Sequence, residues 1–182
     1  MTDKPPAQAP EAQSWIPQFR ACYDQAVRRF ERGHRGPDNV IAPESLALLD
    51  SIGTSARELY DFVEDLVEDG EPDFDTVTAI TAIRRAYFLT VQQGKPSPRR
   101  VPSATLPSGY AELGGYRWLP RIIAKARAKL RGELSPDMMF GCGADRPFLR
   151  NVHMEPAEFL QVVWDAGTDD HQILEAVRNR AK

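Results

Sequence analysis

The sequence predicts an all-α protein. Apolar residues recur every three or four positions in several separate stretches, and glycine or proline separates one stretch from the next. No two segments alternate apolar and polar residues as paired strands do. We therefore expect an N-terminal helical hairpin or bundle joined by a proline-rich connector to a smaller helical domain.

Three helical stretches make up the N-terminal half. The first stretch ends at Gly33, and its apolar residues are Phe19, Cys22, Tyr23, Ala26, Val27 and Phe30. The second stretch follows Pro43 and ends at Gly70, and the third occupies residues 77–91.

Prolines between Gly94 and Gly115 interrupt the helical pattern, so this segment is predicted to be extended. A fourth helix spans Leu119 to Leu130, residues 135–147 are predicted to be a loop, and two short helices follow. The predicted divisions are a disordered tail (1–13), an N-terminal helical domain (14–93), a connector (94–112) and a C-terminal helical domain (113–182).

Composition excludes several classes of protein. The chain has 182 residues, 23 basic and 26 acidic, and a net charge of -3, which is unlike a basic nucleic-acid coat. No apolar run is long enough to span a membrane. The N-terminus lacks a signal-peptide pattern, and two distant cysteines, Cys22 and Cys142, do not make a disulfide framework. We expect a cytoplasmic location.

Charge is divided into two opposed blocks. Residues 44–75 hold eleven acids and one base, and residues 84–131 hold eleven bases and one acid. The interpretation we favour is that the acidic helical face is solvated or packs against the basic block. The other is a surface for a polyanion, with Tyr110, Tyr116 and Trp118 available for stacking. Pairing within one chain or between two, as in a homodimer, is left open.

Common cofactor and metal motifs are absent from the sequence. His34, His153 and His171 have no metal-ligand spacing. There is no phosphate-binding glycine loop and no serine-hydrolase elbow, so Gly114 and Gly115 are interpreted as a helix entry. We expect no metal and no cofactor.

The loop around Cys142 is the remaining candidate for chemistry. Cys142 lies between two glycines, with Asp145 and Arg146 close behind it. A cation such as Arg146, Arg121 or Lys125 would stabilise its thiolate, making it a nucleophile. The structural alternative is a small buried cysteine in a turn, with Asp145 capping a short helix and pairing with Arg146.

Residues 110–182 resemble the bacterial domain-of-unknown-function family 5069. The resemblance lies in the run from Leu113 to Gly132, the cysteine loop, Phe159-Leu160 and the closing Asp-Asp-x-x-Ile-Leu. The most telling positions are the Gly114-Gly115 entry, Lys125 and Arg127, although Ala124 stands where members carry an acid. The resemblance implies a small, mostly helical bacterial protein with an N-terminal extension, and it implies no reaction.

The functional hypothesis is an enzyme acting on a small anionic metabolite. Cys142 and Asp145 are the candidate catalytic residues, with Asp145 orienting Arg146. The alternative is a non-enzymatic binding or adaptor module that docks a protein or nucleic acid on its basic face. We expect no membrane partner. If the protein is an enzyme, we also expect no nucleic-acid partner. The candidate substrate-binding residues are Trp118, Arg121, Lys125 and Arg146.

Overall fold

The computed structural model describes residues 15–182, so the predicted tail at 1–13 lies outside the described residues. The prediction of an all-α fold is confirmed, with nine α-helices in the described part. The first five are α1 (Trp15–Glu31), α2 (Pro37–Val40), α3 (Leu46–Ser51), α4 (Ala56–Asp69) and α5 (Phe74–Thr90). The last four are α6 (Leu119–Arg131), α7 (Asp145–Asn151), α8 (Pro156–Ala166) and α9 (Asp170–Arg180).

Local sequence signals set the ends of the helices that carry the site. At the start of α4, Ser55 and Glu58 form a capping box, in which each side chain accepts a hydrogen bond from the backbone of the other residue. Gly70 ends α4 and Gly132 ends α6, both in the left-handed conformation that glycine adopts without strain. These signals are local, which is why the sequence predicted both ends.

The structure corrects two local predictions. Gly114 and Gly115 do not enter a helix but form the turn of a hairpin between β1 (Glu112–Leu113) and β2 (Tyr116–Arg117). Both glycines have positive φ, and a Cβ on Gly114 would lie 2.6 Å from Leu174. The predicted loop at 135–147 also ends earlier, because α7 begins at Asp145.

One cluster of buried side chains includes residues from both sides of the connector. Phe62 of α4 and Ile80 of α5 belong to the same core as Ile122 of α6 and Phe159 of α8. Helix α6 packs against both α5 and α8. Its position brings the basic α6 next to the N-terminal helices. Within residues 15–182, no helix has the length and apolarity that crossing a membrane requires.

The acidic and basic blocks meet within the chain at one ion pair. Lys129 Nζ of α6 lies 2.7 Å from Oε1 of Glu58 in α4. Other ion pairs of the basic block within the described residues go to acids outside the acidic block: Lys125 pairs with Asp145, and Arg127 with Asp170. Direct pairing of the two blocks is therefore limited to one buried contact.

Candidate functional site

Four of the six predicted site residues come together at one place. Trp118 precedes α6, Lys125 lies one and a half turns into α6, and Asp145 is the first residue of α7. Cys142 lies in the loop between α6 and α7. The loop folds back so that its end lies against the buried face of α6.

Asp145 is the centre of this cluster and is fully buried, at 0% exposure. Its Oδ1 accepts a hydrogen bond of 2.9 Å from Trp118 Nε1. Its Oδ2 accepts one of 2.5 Å from Lys125 Nζ and one of 2.9 Å from the backbone N–H of Gly141. A buried carboxylate is tolerated when a cation and several donors surround it, and Asp145 has both.

Cys142 lies beside the same ammonium group. Its Sγ is 3.2 Å from Lys125 Nζ, and its carbonyl accepts hydrogen bonds from the backbone N–H groups of Asp145 and Arg146. Gly141, which precedes it, has a φ of 82° that favours glycine. The cysteine residue is neither fully buried nor freely exposed, and its sulfur lies beside a cation.

Arg146 points away from this cluster. Its guanidinium contacts three carboxylates: Nη1 lies 2.7 Å from Asp65, Nη2 3.3 Å from Asp69, and Nε 2.9 Å from Glu71. Burial lowers the pKa of Arg146, but the bond to Asp65 and the charges around it raise the pKa above its ordinary value. The expected orientation of Arg146 by Asp145 is therefore wrong, since both oxygens of Asp145 are bonded elsewhere.

Arg121 lies on the outer side of the cluster. Its Cζ is 5.5 Å from the centre of the Trp118 ring, and its Nη1 donates a hydrogen bond of 2.8 Å to the carbonyl of Pro107. Trp118 thus connects Arg121 at its ring face to Asp145 at its indole N–H. The guanidinium has no carboxylate partner among the described residues.

A comparison with protein-family models finds a match for the C-terminal part of the chain, which contains this cluster. Residues 103–182 match the model of the family described as "Domain of unknown function (DUF5069)". Residues 103–182 are similar to this family and are called the DUF5069 domain. This confirms the resemblance predicted from the sequence. No curated protein and no solved structure matches the chain.

The DUF5069 segment contains all of Trp118, Lys125, Cys142 and Asp145, while the three carboxylates that bind Arg146 lie in the N-terminal helices before it. The cluster is therefore internal to the domain. Arg146, in contrast, links the DUF5069 domain to the helices that precede it.

Sequence reasoning missed two buried basic residues. Lys129 lies one turn after Lys125 on the same face of α6, and it bonds Glu58, while Arg84 is buried in α5. The spacing of Lys125 and Lys129 was the one available signal, because two lysines four residues apart share a helix face. Among residues 15–182, no group of three or more His, Cys, Asp or Glu side chains is arranged to hold a metal.

Proposed function

We propose that this protein is a small cytoplasmic bacterial enzyme that acts, without a metal, on a small anionic metabolite carrying a carboxylate or phosphate. Cys142 is the nucleophile or proton donor. The observation that carries the proposal is the position of Lys125 Nζ, which contacts both Asp145 Oδ2 at 2.5 Å and Cys142 Sγ at 3.2 Å.

Each residue of the cluster has a distinct role in this proposal. Asp145 is a positioning residue, because its buried carboxylate fixes the position of the Lys125 ammonium group. Lys125 then donates a hydrogen bond to the sulfur of Cys142 and stabilises a thiolate. Trp118 holds Asp145 from the other side, so the geometry exists before a substrate arrives.

A nucleophilic step follows from this arrangement. The thiolate of Cys142 attacks an electrophilic carbon, forming a carbon–sulfur bond, and the leaving group departs with the electrons of the bond that breaks. The Lys125 ammonium lies close enough to the sulfur to donate a proton to that leaving group. This step leaves a covalent intermediate and a neutral Lys125. A water molecule then gives a proton to the Lys125 amine while its oxygen attacks the same carbon, which breaks the carbon–sulfur bond and restores the Cys142 thiolate and the Lys125 ammonium group.

Arg121 is the residue best placed to bind the anionic group of the substrate. It lies against Trp118, and its charge is not neutralised by a carboxylate of the described chain. Arg146 was a candidate for the same role, but three carboxylates already neutralise it. In the proposal Arg121 therefore attracts the substrate, and Arg146 contributes by holding the loop that carries Cys142.

The alternative function is a binding or adaptor module with a basic face. It is supported by the exposed bases Arg99, Arg100 and Arg117, which form no ion pair with the described residues. Such a face would bind a protein or nucleic acid through long-range attraction that salt weakens steeply.

Cys142→Ser distinguishes the two functions, with Cys22→Ser as the matched control. Mixtures of small carboxylates and phosphate esters are incubated with each full-length protein and followed by NMR. The enzyme function predicts that the wild type and Cys22→Ser convert a component while Cys142→Ser loses at least 100-fold in rate, as is usual when a nucleophile is removed. Conversion retained by Cys142→Ser would contradict it. No conversion by any variant, together with salt-sensitive binding of a polyanion such as heparin, would favour the binding module.

A further inference from the structure

A cleft lies beyond the C-terminal end of α6, and Cys142 is not among the residues that line it. It has a volume of about 540 Å³ and is lined by the start of α4, the end of α5 and the segments 94–100 and 132–138. The two helices and the segment 94–100 precede the DUF5069 domain, and the segment 132–138 belongs to it. The cleft therefore exists only where the N-terminal helices pack on that domain.

Arg84 is the most deeply buried charged side chain in the wall of this cleft, at 2% exposure. Its Nη1 donates a hydrogen bond of 2.8 Å to Gln92, whereas its Nε has no hydrogen-bond partner. Its Cζ lies 5.1 Å from the centre of the Phe88 ring. Within residues 15–182, Arg84 forms no ion pair.

Glycine at position 132 makes room for the guanidinium. A Cβ on Gly132 would lie 2.6 Å from Arg84 Nη2, which is closer than two such atoms approach. The same residue has a φ of 66°, where glycine is favoured. The backbone that ends α6 therefore lies directly against the arginine.

The carboxylate of Glu58, in the same wall, already has its own partners. Glu58 bonds Lys129 through Oε1 and accepts hydrogen bonds from Thr54 Oγ1 and the Ser55 backbone N–H through Oε2. Glu58 therefore pairs with Lys129 and acts on Arg84 only through space, without a contact. Burying a cation without a counter-charge is costly, so this wall has a place for one more negative charge.

The other charged groups of the cleft balance one another, so Arg84 and Lys129 facing the single carboxylate of Glu58 leave one excess positive charge. Arg57 and Asp61 pair at 2.8 Å, and Asp50 and Arg100 are exposed at the rim. Burial raises the pKa of Asp61 to about 7, although Arg57 opposes the rise, so this carboxyl is only partly ionised near neutral pH. Arginine is also suited geometrically to carboxylates and phosphates, because its donors match their oxygens.

We propose that this cleft is a binding site for a small anion with carboxylate or phosphate oxygens, in which Arg84 supplies the buried counter-charge and Arg100 closes the rim. The site is separate from Cys142 and does not depend on the proposed function. It makes binding of the anion dependent on contact between the N-terminal helices and the DUF5069 domain.

Thermal unfolding of the full-length protein tests the proposal. Inorganic phosphate and succinate are compared with chloride at equal ionic strength, for the wild type, Arg84→Gln and the control Arg85→Gln. Arg85 is the neighbouring residue on α5, has no carboxylate partner among residues 15–182, and lies near Trp15 rather than in the cleft. A ligand at about ten times its Kd should raise the Tm by roughly 3 °C or more.

We expect this rise with phosphate or succinate in the wild type and in Arg85→Gln, and its loss in Arg84→Gln. Which anion gives the larger rise identifies the class of ligand. No rise in the wild type, or an equal rise in Arg84→Gln, would overturn the proposal. If Arg84→Gln does not fold, Arg100→Gln decides: a several-fold weaker affinity for the anion supports the site, and an unchanged affinity overturns it.

Discussion

Lys125 and Asp145 form a buried ion pair, 2.5 Å from Nζ to Oδ2, that joins the middle of α6 to the start of α7. Asp145 has no exposed surface, and Lys125 is 4% exposed. Because Lys125 also contacts Cys142, the same lysine contributes to both the stability of the loop and the chemistry proposed for it.

Lys125→Met should destabilise the protein strongly. The substitution keeps most of the side-chain volume but leaves the charge of Asp145 buried without a cation, which costs about 3 to 5 kcal/mol. Arg127→Met, on the same helix, removes an ion pair to Asp170 that is partly exposed and should cost about 1 kcal/mol or less. Urea unfolding measures both, and equal losses in the two variants would show that the buried pair has no special importance.

Glu58 should make the stability sensitive to acid. Burial raises the pKa of Glu58, but Lys129 and hydrogen bonds from Lys129 and Thr54 outweigh it, so the pKa lies below its ordinary value of 4.5. A carboxyl with a lowered pKa contributes stability that is present above the unfolded-state pKa and is lost as the pH falls through the folded-state pKa.

Glu58→Gln isolates this contribution. At pH 7 it should lower the free energy of unfolding by about 3 kcal/mol, because Lys129 is left buried without its partner. The difference from the wild type should shrink as the pH falls below about 4.5. Glu64→Gln, in the same helix, is the control, and a difference that stays constant with pH would contradict the assignment.

Much of the fold could be predicted from the sequence because its signals are local. The apolar stripes of α1, α4 and α6 and the glycines that end them act within a few residues, and the structure has these helices where they were expected. The hairpin turn at Gly114 and Gly115 was missed, since its strands are only two residues long and have no pattern to detect.

Asp61 should have the opposite pH dependence from Glu58. Its pKa is raised to about 7 by burial, so the folded state holds a proton that the unfolded state releases. Its contribution to stability therefore falls as the pH rises from about 4 to about 7. Asp61→Asn should be more stable than the wild type by about 1 kcal/mol or more at pH 8, with the gain closing towards pH 4. A gain that is independent of pH would contradict the raised pKa.

Arg146→Lys should destabilise the contact between the DUF5069 domain and the N-terminal helices. Three nitrogens of Arg146 contact Asp65, Asp69 and Glu71, and a single ammonium group cannot contact all three. We expect a loss of about 2 kcal/mol in the free energy of unfolding. Arg150→Lys is the control, because Arg150 is exposed and contacts only Glu71 among the described acids. Equal effects of the two substitutions would contradict this role of Arg146.

The candidate site was predictable only in part, because partners far apart in sequence leave no local pattern. Lys125 and Cys142 were identified from residue type and from the loop that holds the cysteine. The direction of Arg146 was not, since its nearest partner, Asp65, is 81 residues away. For the same reason Glu58 and Lys129, 71 residues apart, appeared only as members of opposed charge blocks.

Alkylation of the folded wild-type protein tests the central claim most directly. Iodoacetamide is added at pH 7, and peptide mass spectrometry follows Cys142 and Cys22 in the same sample. Cys22 is buried, and burial raises the pKa of its thiol, so it serves as the unreactive internal reference. We predict that Cys142 reacts at least 10-fold faster than glutathione, because Lys125 stabilises its thiolate. A Cys142 that reacts as slowly as Cys22 would contradict the proposed enzymatic site.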